Sequence, residues 1–225
     1  MSDADHSSSS PDSEPGETTP PARKRPKPGE RRVQILQALA AMLEQPGAER
    51  ITTAALAAKL EVSEAALYRH FASKAQMFEG LIEFIEQTVF SLINQIAERE
   101  GPAMDAAGGA RQASKVVAML MQFAEKNPGM TRVMVGDALV FENERLQQRM
   151  NQFFDKIEST LKQCLRDGAQ ASPSTPSSSA TPSVDAQVRA SVLTAFVAGR
   201  LQRFARSGFR RLPSEHLEAS LALML

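Results

Sequence analysis

The chain has 225 residues, 26 Lys and Arg balanced by 26 Asp and Glu, three histidines and one cysteine. That length suits one or two domains, and the composition is that of a soluble globular protein with no apolar run long enough to cross a membrane. One cysteine excludes an internal disulfide, no Cys/His cluster has metal-ligand spacing, and no apolar stretch near the start reads as a secretory signal, so the cytoplasm is the simplest compartment.

Residues 1–29 are rich in Ser, Pro, Asp and Glu and end in a basic string. They lack the apolar residues to build a core, which predicts a disordered tail. The zero net charge hides an asymmetry. Residues 1–22 carry five acids and no Lys or Arg, whereas residues 23–74 carry ten bases against five acids. Two roles are open to the basic string: an arm reaching along a nucleic-acid groove, or a solubilising tail.

Arg31 to Gln45 reads as the first helix, with Ile35, Leu36, Leu39, Met42 and Leu43 as its buried stripe and Pro46-Gly47 as its stop. Ile51 to Lys74 reads as two short helices joined by a tight turn. Thr52 or Thr53 caps the first, and Leu56, Ala57 and Leu60 form its apolar stripe. Glu61-Val62 is the turn. Ser63 caps the second helix, predicted over Glu64 to Phe71, with Glu64 beside the positive end of its dipole. Ala66, Leu67 and His70 face inward; Ala65, Tyr68 and Arg69 face out. Ser73 caps a third helix beginning at Lys74.

Two helices, a short turn and a capped second helix form the pattern that reads the DNA major groove. Tyr68 and Lys74 offer a phenol and a cation suited to phosphate oxygens, and the basic excess around the motif is the expected electrostatic footprint. An ordinary helical hairpin with solvated charges is the bland alternative. On the DNA reading, the acidic residues 1–22 compete with DNA for the basic string.

The run from Val62 to Phe71, followed by Ser73-Lys74, resembles the helix-turn-helix of the TetR family, above all in its Tyr-x-His-Phe-x-x-Lys ending at Lys74. The resemblance implies that Ser63 to His70 (Ser63, Glu64, Ala65, Ala66, Tyr68, Arg69 and His70 among them) form the recognition helix. It also implies that Thr52, Thr53, Tyr68 and Lys74 meet the DNA backbone. One departure stands out. The family usually has Gly in the turn, where the backbone takes positive φ; this chain has Glu61, so the turn is either strained, at a cost on the order of 1 kcal/mol, or shaped differently.

Beyond the head, a long helix is predicted from Lys74 to about Glu98. Met77, Phe78, Leu81, Ile82, Ile85, Val89, Leu92, Ile93 and Ile96 form its apolar band, and Phe84 lies off that band. Gly101-Pro102 breaks the chain, and Gly108-Gly109 is expected to weaken the start of the next helix. That helix, over Arg111 to Glu125, ends at Lys126-Asn127-Pro128-Gly129, read as a stop and a turn. Another runs from Met130 to Val140, and a long one from Glu142 to Asp167 carries a heptad-like stripe that includes Cys164. Residues 168–184 read as a flexible linker. Asp185 to Ser207 is apolar on two sides: Leu193, Val197, Leu201 and Phe204 on one, Val188, Val192, Ala195 and Gly199 on the other. The second side suits a second copy of the chain, in a four-helix dimer interface. A last short helix falls between Glu215 and Met224.

The expected fold is therefore all-α and TetR-like: a three-helix DNA-binding head over residues 30–74 and a helical dimerisation and regulatory domain over 75–225. A two-fold dimer would require palindromic double-stranded DNA. Strings outside the head, such as Leu81 to Glu86 and Glu125 to Arg132, are similar to the nucleoid occlusion factors of that family. That similarity implies a nucleoid-associated protein that binds the C-terminal tail of the division protein FtsZ, in a groove lined by Phe84, Lys126 and Asn127. Without it, Lys126-Asn127 is a plain helix C-terminus with a cation on the dipole. A small-molecule-released repressor is the alternative, and it needs a roomy pocket. The C-terminal helices look filled by Leu, Met, Val and Phe, which speaks against one. No histidine has a nucleophile or paired acid at a telling spacing, so neither an enzyme nor a cofactor is expected.

Overall fold

The computed structural model describes residues 29–45, 51–171 and 182–225. The tail over 1–28, the Pro46-Gly47 stop and the centre of the Ser/Pro stretch fall outside the described residues. Among the described residues there are nine α-helices and no strand: α1 (Glu30–Leu43), α2 (Thr53–Lys59), α3 (Glu64–Tyr68), α4 (Lys74–Glu100), α5 (Ala106–Lys126), α6 (Pro128–Met134), α7 (Glu144–Ala171), α8 (Pro182–Arg206) and α9 (Leu217–Met224).

Helix starts are set by side chains that satisfy free first-turn N–H groups, each worth about 1 kcal/mol. Thr52 accepts from the Ala55 amide, Ser63 from Ala66, Ser73 from Gln76 and Asp105 from Gly108. In α4, Met77, Phe78, Leu81, Ile82, Ile85, Val89 and Ile93 are buried at helical spacing. This stripe packs against α1, α5, α6 and α7, so one 27-residue helix, roughly 40 Å long at 1.5 Å per residue, joins the head to the body. In α7, Leu146, Met150, Phe153, Ile157 and Leu161 are buried, and α7 packs between α5 and α8.

Several boundaries differ from expectation for a packing reason. Gly108 and Gly109 do not weaken a helix start; they lie inside α5. A Cβ on Gly109 would come within 2.5 Å of the Cys164 carbonyl oxygen, and one on Gly168 within 2.8 Å of the Gly109 Cα. The two glycines thus let the α5 and α7 backbones touch. That contact keeps residues 168–171 helical, within the segment expected as linker, and α8 likewise begins at Pro182 rather than Asp185. Pro128-Gly129 is not a turn either. Pro128 opens α6, where its missing N–H costs nothing, and Gly129 is helical. The expected Met130–Val140 helix is interrupted at Gly136, with φ of 83°, and resumes as a short 3₁₀ turn at Asp137–Leu139.

The head is locked to the body at α1 and α6. A Cβ on Gly129 would lie 1.9 Å from the Ala40 carbonyl oxygen, so the two backbones meet directly there. Three ion pairs bind the head-proximal half of α4 to the turn before α7 and to its first residues: Lys74 with Glu142 at 2.5 Å, Arg145 with Glu79 at 2.8 Å and Arg149 with Glu86 at 2.8 Å. The hydrogen bond from Arg149 to Glu86 raises the arginine's pKa above its ordinary value, against the opposing effect of burial.

Candidate nucleic-acid interface

Thr52, and not Thr53, caps α2, which frees Thr53 for a contact across the motif. Its hydroxyl donates to Glu64 Oε2 at 2.6 Å and accepts from the Tyr68 hydroxyl at 3.4 Å. Residues from both helices of the motif are thereby tied into one polar cluster on the exposed face. Glu61 sits in the turn at φ 53°, the left-handed conformation expected of a glycine there. Val62, half-buried, packs against the core between the helices.

Helix α3 is shorter than expected. It ends at Tyr68, with Arg69 as its C-cap and His70 beyond it. The Leu67 carbonyl accepts from both the His70 and Phe71 amides, which closes the last turn. Arg32 of α1 donates to the His70 carbonyl at 2.6 Å, and its guanidinium covers the Phe71 ring at 4.2 Å, tying the segment after α3 to α1. Ala65, Tyr68 and Arg69 are exposed, Ala66 and His70 are half-buried, and Leu67 is fully buried. The face left to a ligand is slim at Ala65 and Ala66 and flanked by a phenol and a guanidinium. Such a face fits a major groove, with hydroxyls and cations at its margin for phosphates.

Lys74, the first residue of α4, is not free. Its Nζ is held by Glu142, whose side chain is only 10% exposed, and lies 5.7 Å from the Phe78 ring. A phosphate that takes Lys74 must displace that carboxylate. Neither Arg32 nor Glu142 was legible as part of the interface, because each reaches its partner across a sequence separation with no local signature.

Phe84 is 43% exposed on α4, off the buried stripe as expected. Lys126 is the exposed last residue of α5, which packs on α4. Asn127 is half-buried and already committed. Its Nδ2 donates to the Phe123 carbonyl at 2.8 Å, and its carbonyl accepts from the Thr131 amide and hydroxyl, so it stitches α5 to α6. Phe84 and Lys126 thus stand on adjoining helices, while Asn127 shapes the corner.

The C-terminal domain is less filled than the sequence suggests. A cleft of about 890 Å³ opens among α4, α5 and α7, with Phe90, Ile93, Ile96 and Val116 beside the polar Gln112 and Asp167. Ile96, which lines it, is accordingly only half-buried, and Leu92 is half-buried as well. Cys164 also lines the cleft, and burial, followed by the Asp167 charge, pushes its thiol pKa up. On α8, Leu193, Val197, Leu201 and Phe204 are buried, whereas Val188 and Val192 are about half exposed and a Cβ on Gly199 would meet nothing within 4 Å.

The family profile described as bacterial regulatory proteins of the tetR family matches residues 35–81. That of the tetracyclin repressor-like, SlmA-like C-terminal domain matches residues 110–225. The nucleoid occlusion factor SlmA of Idiomarina loihiensis is 48% identical over 194 residues, covering 86% of this chain and 93% of that protein. The SlmA of Vibrio cholerae is 48% identical over 196 residues, with the same coverage. The transcriptional regulator FadR from Bacillus subtilis, solved in complex with stearoyl-CoA, superposes with a TM-score of 0.65 at 14% identity, over 85% of this chain and 96% of that one, which shows a shared fold. The chain belongs to the SlmA family of nucleoid occlusion factors, built on the TetR helix-turn-helix fold.

Proposed function

We propose that this protein is a nucleoid occlusion factor: a dimer on palindromic chromosomal DNA that disrupts FtsZ polymers, so that no septum closes over the nucleoid. The observation that carries this reading is the 48% identity to SlmA proteins, which spans the C-terminal domain as well as the DNA-binding head. The solved structure of FadR from Bacillus subtilis shares the fold at only 14% identity.

The geometry supports a role for each part. Ser63, Glu64, Ala65, Ala66 and Arg69 present α3 to the major groove, with His70 just past its end. Thr52, Thr53, Tyr68 and Lys74 hold the phosphates on either side. The half-exposed Val188 and Val192, with Ala195 and Gly199, form the α8 face against a second copy, and the small residues allow close backbone approach. Two such heads, related by a two-fold axis, read half-sites one helical turn, about 34 Å, apart. Phe84 supplies the apolar contact and Lys126 the cation for the FtsZ tail, and Asn127 sets the corner between them.

The test is sedimentation of FtsZ polymers with this protein, with and without a tightly bound duplex. Loss of polymer when specific duplex is present is expected. Charge reversal by Lys126→Glu removes that effect while leaving DNA affinity intact. The large apolar cleft favours a second reading, a repressor released by a small molecule. Unaltered FtsZ sedimentation with intact DNA binding selects that reading instead.

A further inference from the structure

Positive charge gathers around the end of α8. Arg200, Arg203 and Arg206 occupy the last two turns of α8, and Arg210 and Arg211 follow. Among the described residues, none of the five forms an ion pair with an acid. The helix dipole favours Arg203 and Arg206 where they stand. It does not explain why Arg200, Arg203, Arg210 and Arg211 converge, with Glu215 as the single acid, on one cavity of about 410 Å³.

The loop that closes this cavity is built and held. Gly208 and Phe209 both take left-handed φ, 62° and 64°, to turn the chain back. The Phe209 ring is fixed by the edge of Phe204 at 5.2 Å and by the Arg132 guanidinium at 5.3 Å. Ser207 Oγ accepts from the amides of Arg210 and Arg211, at 3.1 and 2.9 Å, and the Arg210 Nε donates to the Ser207 carbonyl. At the far end, Ser214 donates through its amide and hydroxyl to Glu125. Arg200 covers the Phe196 ring and donates to the Glu215 carbonyl. Its Nε is buried and has no acceptor. Four guanidinium groups converging on one cavity form an arrangement completed by an anion with several oxygens.

We propose that this cavity is a phosphate-binding site, in which Arg200, Arg203, Arg210 and Arg211 take a phosphate group and Glu215 bounds the side where the carrier lies. Guanidinium forks match phosphate oxygens in pairs. The phosphate comes either from a small phosphorylated molecule, such as a nucleotide, or from a nucleic-acid strand lying outside the helix-turn-helix. The site draws no residue from α3 or α4.

Calorimetric titration of the full chain with sodium pyrophosphate and with ATP, at constant ionic strength, tests the first source. Saturable binding is expected, weakened at least tenfold in Arg203→Gln/Arg211→Gln and at least threefold in Arg211→Gln alone. Both residues are exposed, and circular dichroism confirms that the variants fold. The second source is tested by the salt dependence of DNA binding, where each lost phosphate contact lowers the slope of log K against log salt by about 0.9. A slope reduced in the double variant, with pyrophosphate competing in the wild type, assigns the phosphate to nucleic acid. The proposal is overturned if neither probe binds saturably and the DNA slope is unchanged. It is also overturned if the double variant binds as the wild type does. A changed sedimentation mass in the double variant overturns it as well, because Arg203 and Arg206 continue the spacing of the Val188, Val192, Ala195 and Gly199 stripe, and the arginines would then serve the second copy.

Discussion

Substituting Gly129 by Ala puts a methyl group where α6 meets α1. The added carbon would lie 1.9 Å from the Ala40 carbonyl oxygen and 2.8 Å from its carbon. An ordinary carbon–oxygen contact is about 3.3 Å, so roughly 1.4 Å of separation is needed. The obstacle is backbone, and no rotamer change relieves it. The α1 and α6 helices must part, which loosens Ala40 and Leu43 on one side and Met130 and Val133 on the other, all buried. Overpacking of this kind costs about 1–3 kcal/mol, and the better helix propensity of Ala returns at most about 1. The net loss of about 1–2 kcal/mol corresponds to a Tm lowered by about 2–8 °C in a chain of this length. Thermal unfolding followed by circular dichroism measures it. Fluorescence anisotropy with a duplex, well below Tm, reports on the displaced α1 as weaker DNA binding. Ala40→Gly in the same background does not rescue, since the clash is with the carbonyl. An unchanged or raised Tm for Gly129→Ala would refute the direct backbone contact between head and body.

Glu142→Gln releases Lys74 for a phosphate. An ion pair of this exposure is worth at most about 1 kcal/mol, so DNA affinity rises by up to about fivefold, and weaker binding in anisotropy would contradict the competition. Gly199→Trp fills the exposed α8 face without a clash inside the chain, and sedimentation equilibrium is expected to give half the wild-type mass; a dimer of unchanged strength places the interface elsewhere. Burial holds the Cys164 thiol protonated above the ordinary thiol range, so its reaction with a disulfide reagent at pH 8 is slower than that of a free cysteine peptide. Because the folded chain favours the protonated thiol, that contribution to stability is present below the unfolded thiol pKa. It is lost as pH rises through the folded one, and Cys164→Ser removes this alkaline limb from a plot of Tm against pH.

The sequence by itself determined the helices of the motif and the capped starts of α2, α3 and α4. Ser63, Ser73 and the threonine pair sit immediately before apolar residues at helical spacing, and both cap and stripe are local signals. It also determined the inward stripe of α4 with Phe84 left outside and the two faces of α8, while the structure decided that Glu61 takes the strained left-handed turn rather than a different one. Tertiary structure decided what lies between residues far apart in the chain. Arg32 ties the His70 carbonyl and the Phe71 ring to α1, and Glu142 holds Lys74. Gly109 against Gly168 extends α7 through Ala171, and Gly129 serves the joint with α1 rather than a turn. The cleft lined by Phe90, Ile93 and Val116 is likewise invisible in composition, since apolar residues at core spacing read the same whether their neighbours meet or leave a gap. A side chain's cap and its helical face depend on the four residues around it. Whether a carbonyl, a cation or a glycine is consumed by another helix depends on how whole helices pack, and no local pattern carries that.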